Sequence, residues 1–119
     1  MLINKDWKIK DIQNEFQNKY PFLKLEFYKS RKDASGYNDK FEKLGPFLPV
    51  FSMNSEAIPF ELFLSEDKKV SDLKQKFKET LGCNILIFRK SGNHCIETSF
   101  TQEWTLKQQN EEGKLMSEV

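Results

Sequence analysis

The sequence predicts a two-layer α+β sandwich: a mixed sheet of four or five strands with two related helices on one face. Three observations lead there. At 119 residues and 14.1 kDa the chain, 1–119, carries one domain's worth of core, since domains cluster near roughly 100–150 residues. Eleven Phe and a 38% hydrophobic content supply apolar surface well beyond that of a disordered chain. Finally, the sequence slid against itself matches without gaps over 9–31 and 70–92, with identities at Asp11/Asp72, Phe16/Phe77, Leu25/Leu86, Phe27/Phe88, Lys29/Lys90 and Ser30/Ser91.

Each copy opens with a helix. Ile9, Ile12, Phe16 and Tyr20 match Val70, Leu73, Phe77 and Leu81, a spacing that lines up one stripe of an amphipathic helix. Ser71 is the expected N-cap of the second, Asp72 lies in its first turn, and Pro21 and Gly82 are the expected stops. A strand follows in each copy. Leu23, Leu25 and Phe27 alternate with polar residues, whereas Ile85–Phe88 is continuously apolar and reads as the more central strand. Alternation over 58–64 predicts a strand before the second helix, crossing over right-handed to 85–88. Ser91-Gly92-Asn93 predicts a hairpin with a return strand over 94–100, and Met1–Asn4 a short opening strand.

Residues 31–57, with Gly36, Gly45, Pro46 and Pro49, read as an irregular connection, holding a turn of helix over 38–44 and a short strand near 47–52. Thr105-x-x-Gln108 is a capping-box pattern, yet 107–114 has no apolar residue, so 107–119 is expected to be a frayed tail. The ferredoxin-like arrangement is the first topology this order suggests.

The chemistry of catalysis is sparsely supplied. The chain has one histidine and two cysteines, and no G-x-S-x-G, G-x-x-x-x-G-K-[ST], H-E-x-x-H or G-x-G-x-x-G. His94 and Cys95 are neighbours on a strand, where successive side chains point to opposite faces. No enzyme, cofactor or metal site is expected. Cys83 and Cys95 lack zinc-ligand spacing and are expected as reduced, buried thiols. No run of about 18 apolar residues or signal-like start is present, which predicts a cytoplasmic protein away from the membrane.

Charge is balanced overall at +1 and uneven locally: residues 68–90 carry a net +5 and 93–119 a net −3. Lys29 and Arg31 end the first copy's strand, Arg89 and Lys90 end the second's, and Trp104 follows the return strand. An aromatic anchor beside arginine is the pairing that dominates interface hot spots. These five residues are therefore the candidate partner-binding set. The function expected is a non-catalytic protein-interaction or regulatory module. The alternative is nucleic-acid or anion binding through the basic helix and the paired strand ends, and an enzyme of unknown class comes third.

NILIFRKSG followed by ETSFTQEWTLKQQNEEG resembles the end of a family of small, uncharacterised bacterial proteins with F-R-K-S-G and T-x-x-W-T-L-x-x-Q-N-x-x-G, over about 70–113 and more weakly over 6–28. That resemblance implies no activity. The order VSDLKQKF, ILIF, WTL is also similar to ubiquitin-like β-grasp domains, which implies a β-grasp fold as the alternative architecture.

Overall fold

The computed structural model describes residues 1–32, 35, 36 and 39–118, with backbone alone for Arg31, Lys32 and Asp39. The fold is α+β in two layers. In chain order come β1 (Leu2–Ile3), α1 (Ile9–Lys19), β2 (Leu23–Lys32), β3 (Asp39–Lys43), a 3-10 turn at Val50–Ser52, β4 (Phe60–Glu61), α2 (Val70–Leu81), β5 (Asn84–Ser91), β6 (His94–Glu97), a second 3-10 turn at Ser99–Thr101 and α3 (Leu106–Ser117). The main sheet runs β3-β2-β5-β6, and β1 pairs with β4 in a separate ribbon.

Both repeat helices form where the apolar stripe places them, and the stripe is their buried face. Their N-termini are capped in the same way. The Lys8 N–H donates to Asp11 Oδ2 at 2.7 Å and the Lys69 N–H to Asp72 Oδ2 at 2.9 Å. Ser71, expected as the cap, lies inside α2; the cap residue is Lys69, and the Asp72 carboxylate makes the bond. Each helix start is also bonded to the segment after its own hairpin. Ile9 N–H donates to Leu48 O, Lys10 N–H to Pro46 O and Val50 N–H to Trp7 O; the counterparts are Val70 to Trp104, Ser71 to Gln102 and Leu106 to Lys68. These contacts occupy amides that a helix leaves without internal partners.

The strands are where the gap-free alignment fails. Every ladder is antiparallel, so the expected mixed sheet with a parallel crossover is not formed. Of 58–64 only Phe60–Glu61 is strand, and it pairs with β1, so neither helix crosses between strands of the main sheet as in the ferredoxin-like connection. β2 and β5 pair from Leu23↔Arg89 to Tyr28↔Asn84. Leu23, Leu25, Phe27, Ile85 and Ile87 face the helices and are buried, whereas Leu86 and Phe88 lie on the opposite face. The cause is one residue: α1 has 11 residues and α2 has 12. The offset between the halves is 61 through the helices and becomes 62 at their caps, where Tyr20 N–H donates to Phe16 O and Gly82 N–H to Lys78 O. A one-residue slip moves a strand's side chains to the other face. Leu25 therefore stands opposite Ile87, and Leu86 and Phe88 are not its equivalents.

Four more expectations are corrected. The helical turn over 38–44 is instead β3 over Asp39–Lys43, with residue 38 outside the described residues, because the long β2 offers an edge for it to pair with. The strand near 47–52 is a 3-10 turn touching α1's start through one bridge, Lys8↔Pro49, and the return strand stops at Glu97. The frayed tail is a helix: Thr105 Oγ1 accepts from Gln108 N–H at 3.1 Å, Gln108 Oε1 accepts from Thr105 N–H at 2.8 Å, and α3 packs on β5. Its docking does not need the apolar residues its sequence lacks, as described below.

The core lies between the sheet and the helices, with Phe27 and Phe77 edge-to-face at 5.2 Å. Tyr20 closes it on the β4 side, its hydroxyl donating to Leu64 O at 2.5 Å. Burial, with Glu66 and Asp67 adding to it, pushes the Tyr20 phenol up to about 12. The folded state thus holds the neutral phenol more firmly than the unfolded chain, whose tyrosines ionise near about 10. That contribution is whole below about pH 10 and is lost as pH rises towards about 12. Tyr20→Phe is expected to cost about 1 kcal/mol at neutral pH. Denaturant titrations should show the gap to the parent narrowing between about pH 10 and 12; a gap independent of pH contradicts the assignment.

Candidate interaction site

The five sequence-predicted residues divide into two groups. Because β2 and β5 run antiparallel, their basic ends lie at opposite ends of one ladder: Lys29 is six residues along β2 from Leu23, the partner of Arg89, roughly 20 Å at about 3.4 Å per residue. Lys29 is exposed and sits opposite Glu42 on β3. Arg31 pairs through its backbone with Lys40, and its side chain lies outside the described set. Lys90 projects to the face away from the helices, opposite Cys95. Arg89 and Trp104 do come together: the guanidinium lies over the indole at 5.5 Å from its centroid.

That pair holds α3. Arg89 Nη1 donates to Gln109 Oε1 at 2.8 Å, and Gln109, fully buried, donates through Nε2 to both the Thr101 carbonyl and Thr101 Oγ1 at 2.8 Å. The next residue also contributes: Asn110 Oδ1 accepts from Phe22 N–H at 2.9 Å. At the far end Ser117 Oγ accepts from Gly92 N–H at 3.3 Å. Between them Gly113 lets the helix approach closely: a Cβ there would meet Phe22 Cβ at 2.9 Å and Phe22 O at 3.0 Å. The stripe Leu106, Gln109, Gly113 therefore docks by one apolar side chain, one amide and one absent side chain. Trp104 remains 38% exposed at the edge of this cluster.

The uncovered face of the sheet presents a second arrangement, which the sequence concealed by the one-residue shift. The three helices pack on the face of Leu25, Ile87 and Arg89. The opposite face carries Tyr28 and Glu26 from β2, Leu86 and Phe88 from β5, and Phe41 from β3. Phe41 is 62% exposed and the other three apolar side chains are half-buried. Glu26 is buried but balanced, with Lys24 Nζ at 3.1 Å and Lys43 Nζ at 3.4 Å. A cleft of about 400 Å³ adjoins this face and extends past β5 to α2, lined by Tyr28, Phe41, Asn84 and Leu86 together with Ile85 from the core side and Lys74 of α2. Lys74 Nζ is held by Ser99 Oγ and Gln102 Oε1, both at 3.2 Å. The Asn84 Nδ2 donor is buried without a hydrogen-bond partner, a costly state in a wholly self-contained protein.

The groups with reactive potential are dispersed. Cys83 is buried, and burial pushes its thiol up to about 11, so it holds its proton at neutral pH. Cys95, expected to be buried, is exposed, because β6 is the outer strand of the sheet. Both thiols are free, and among the described residues no three His, Cys, Asp or Glu side chains converge to hold a metal ion. No helix among the described residues is long and apolar enough to cross a membrane. Comparison of the chain with protein-family models, with curated proteins and with solved structures found no match.

Replacing Gly113 by alanine tests the docking of α3. Alanine gains about 1 kcal/mol of helix propensity, but the backbone of Phe22 cannot yield as a flexible side chain would. The expected result is a lower melting temperature and faster amide exchange in α3; a more stable Gly113→Ala protein would show that the close approach is not required.

Proposed function

We propose that this protein is a non-catalytic interaction module that recognises another protein through the uncovered face of its sheet. The observation that carries the reading is the row Phe41, Tyr28, Leu86 and Phe88 spread over three strands beside the cleft with its unpartnered Asn84 amide. Exposed apolar groups gathered on one rigid face mark contact surfaces more often than scattered ones do, and a buried donor without a partner adds a demand that an incoming acceptor meets. Arg89 and Trp104 belong to the fold's internal support in this reading, with the exposed edge of Trp104 at the margin. The two free thiols fit a reducing compartment, which supports a cytoplasmic setting.

The competing anion-binding reading draws on the basic second helix, but Lys69 Nζ lies 3.4 Å from Glu103 and Lys74 is engaged with Ser99 and Gln102. Salt separates the two, since phosphate contacts weaken steeply as salt rises and an apolar contact responds little. Leu86→Lys places a charge on the open face, where it has room to reach solvent, so the fold should survive. Immobilised parent and Leu86→Lys proteins, exposed to host lysate at low and high salt, are expected to differ by one protein that the parent alone keeps in high salt. Equal capture by both sinks the open face as the docking surface, and release of nucleic acid with salt would favour the competing reading.

A further inference from the structure

We propose that the outer edge of β3 binds the same edge of a second copy of this chain, joining two four-stranded sheets into one of eight. β3 is the terminal strand of its sheet, and its described side chains, Lys40, Phe41, Glu42 and Lys43, are all exposed. The hydrogen-bonding sense of each residue follows from one bond. Leu44 N–H donates to Phe27 O at 2.9 Å, so Leu44, Glu42 and Lys40 turn their main-chain groups towards β2. Asp39, Phe41 and Lys43 turn theirs outward, to the side on which no strand among the described residues pairs with β3.

An edge of that kind pairs with whatever strand fits it, and native proteins usually guard it with charge. Here the charges do the reverse. Read along the strand, Asp39-Lys40-Phe41-Glu42-Lys43 has the sign pattern minus, plus, neutral, minus, plus. Read backwards, every charge changes sign. A twofold axis through Phe41 therefore sets Asp39 against Lys43, Lys40 against Glu42 and Phe41 against Phe41 of the second copy. The same register matches outward groups with outward groups, giving about six inter-chain hydrogen bonds. The neighbouring registers that also use the outward groups place Lys40 against Lys40 or Glu42 against Glu42, which like-charge repulsion opposes. The strand thus selects both a partner, its own copy, and one register. This contact is isologous, as a twofold pair requires, and places the two Phe41 rings side by side on the uncovered face.

The other edge offers less. β6 turns out only Cys95 and Glu97, since Ile96 and His94 face β5, and self-pairing there has no comparable set of opposite charges. The interaction does not depend on the protein-partner reading above, because it requires no other molecule.

The test is sedimentation velocity and light scattering on the purified chain over a wide concentration range. The parent should dimerise reversibly. Lys40→Glu should weaken the dimer by about tenfold or more, because it creates two like-charge contacts, and Lys40→Glu with Glu42→Lys should restore it. Phe41→Pro removes an outward N–H while leaving the β2–β3 bonds, so it should give a folded monomer by circular dichroism and melting. A parent that stays monomeric at millimolar concentration overturns the proposal. So does a double variant as weak as the single one, or a dimer that survives Phe41→Pro.

Discussion

The antiparallel pairing of β2 with β5 is the constraint on which the rest of the molecule rests. Six residue pairs join the two halves there, and the residues on one side of the ladder, Leu23, Leu25, Phe27, Ile85 and Ile87, form the floor of the core. α1 covers the β2 side and α2 the β5 side, with Phe77 set edge-on against Phe27. Register in such a sheet is specified by burial, because a slip by one residue would carry the apolar set of one strand, Leu23, Leu25 and Phe27 or Ile85 and Ile87, to the solvent face. The same register decides what faces outward, and so it generates the uncovered row of Tyr28, Leu86 and Phe88.

The halves achieve similar ends by different chemistry. Each helix start is bonded to the segment after its own hairpin, and each such segment begins a helical turn. In the first half that turn stops after Val50–Ser52; in the second it grows into the twelve residues of α3. The longer helix has little apolar surface, and polar groups that find partners take its place. Gln109 is fully buried with both ends of its amide satisfied, a condition under which a buried polar group adds specificity of position at little cost. Arg89 is consumed in this arrangement, which explains how an arginine beside a tryptophan can resemble a contact hot spot and still act inside the fold.

What could be read in the sequence follows from how each element is stabilised. α1 and α2 were legible because each is held by one stripe of large apolar residues at helical spacing. β2 and β5 were legible as strands, but their faces were not. Leu25/Leu86 and Phe27/Phe88 are identities in sequence that lie on opposite sides of the sheet, and one extra residue in α2 reverses the meaning of that run. Asn84 and Leu86 share the open face only because of that shift, which the sequence does not display. β3 was hidden because a charged edge strand, Asp39-Lys40-Phe41-Glu42-Lys43, lacks apolar alternation, and α3 because Gln109 and Gly113 do not look like a buried stripe. Only its Thr105 capping box was visible beforehand. Of the residues that the sequence singles out, Arg89 and Trp104 meet in space, whereas Lys29 and Lys90 do not join them.

Amide hydrogen exchange tests the register most directly. Leu44 bonds to Phe27 O, so the main-chain groups of Lys24, Glu26 and Tyr28 turn to β5 and those of Asn84, Leu86 and Phe88 turn to β2. These six amides should be the slowest to exchange, opening only with the whole fold, while the amides of Leu25 and Ile85, turned away from the ladder, exchange faster. Slow exchange at Leu25 and Ile85 with fast exchange at Glu26 and Leu86 would mean that the strands pair one residue out of step, and the core and the open face described here would both be wrong.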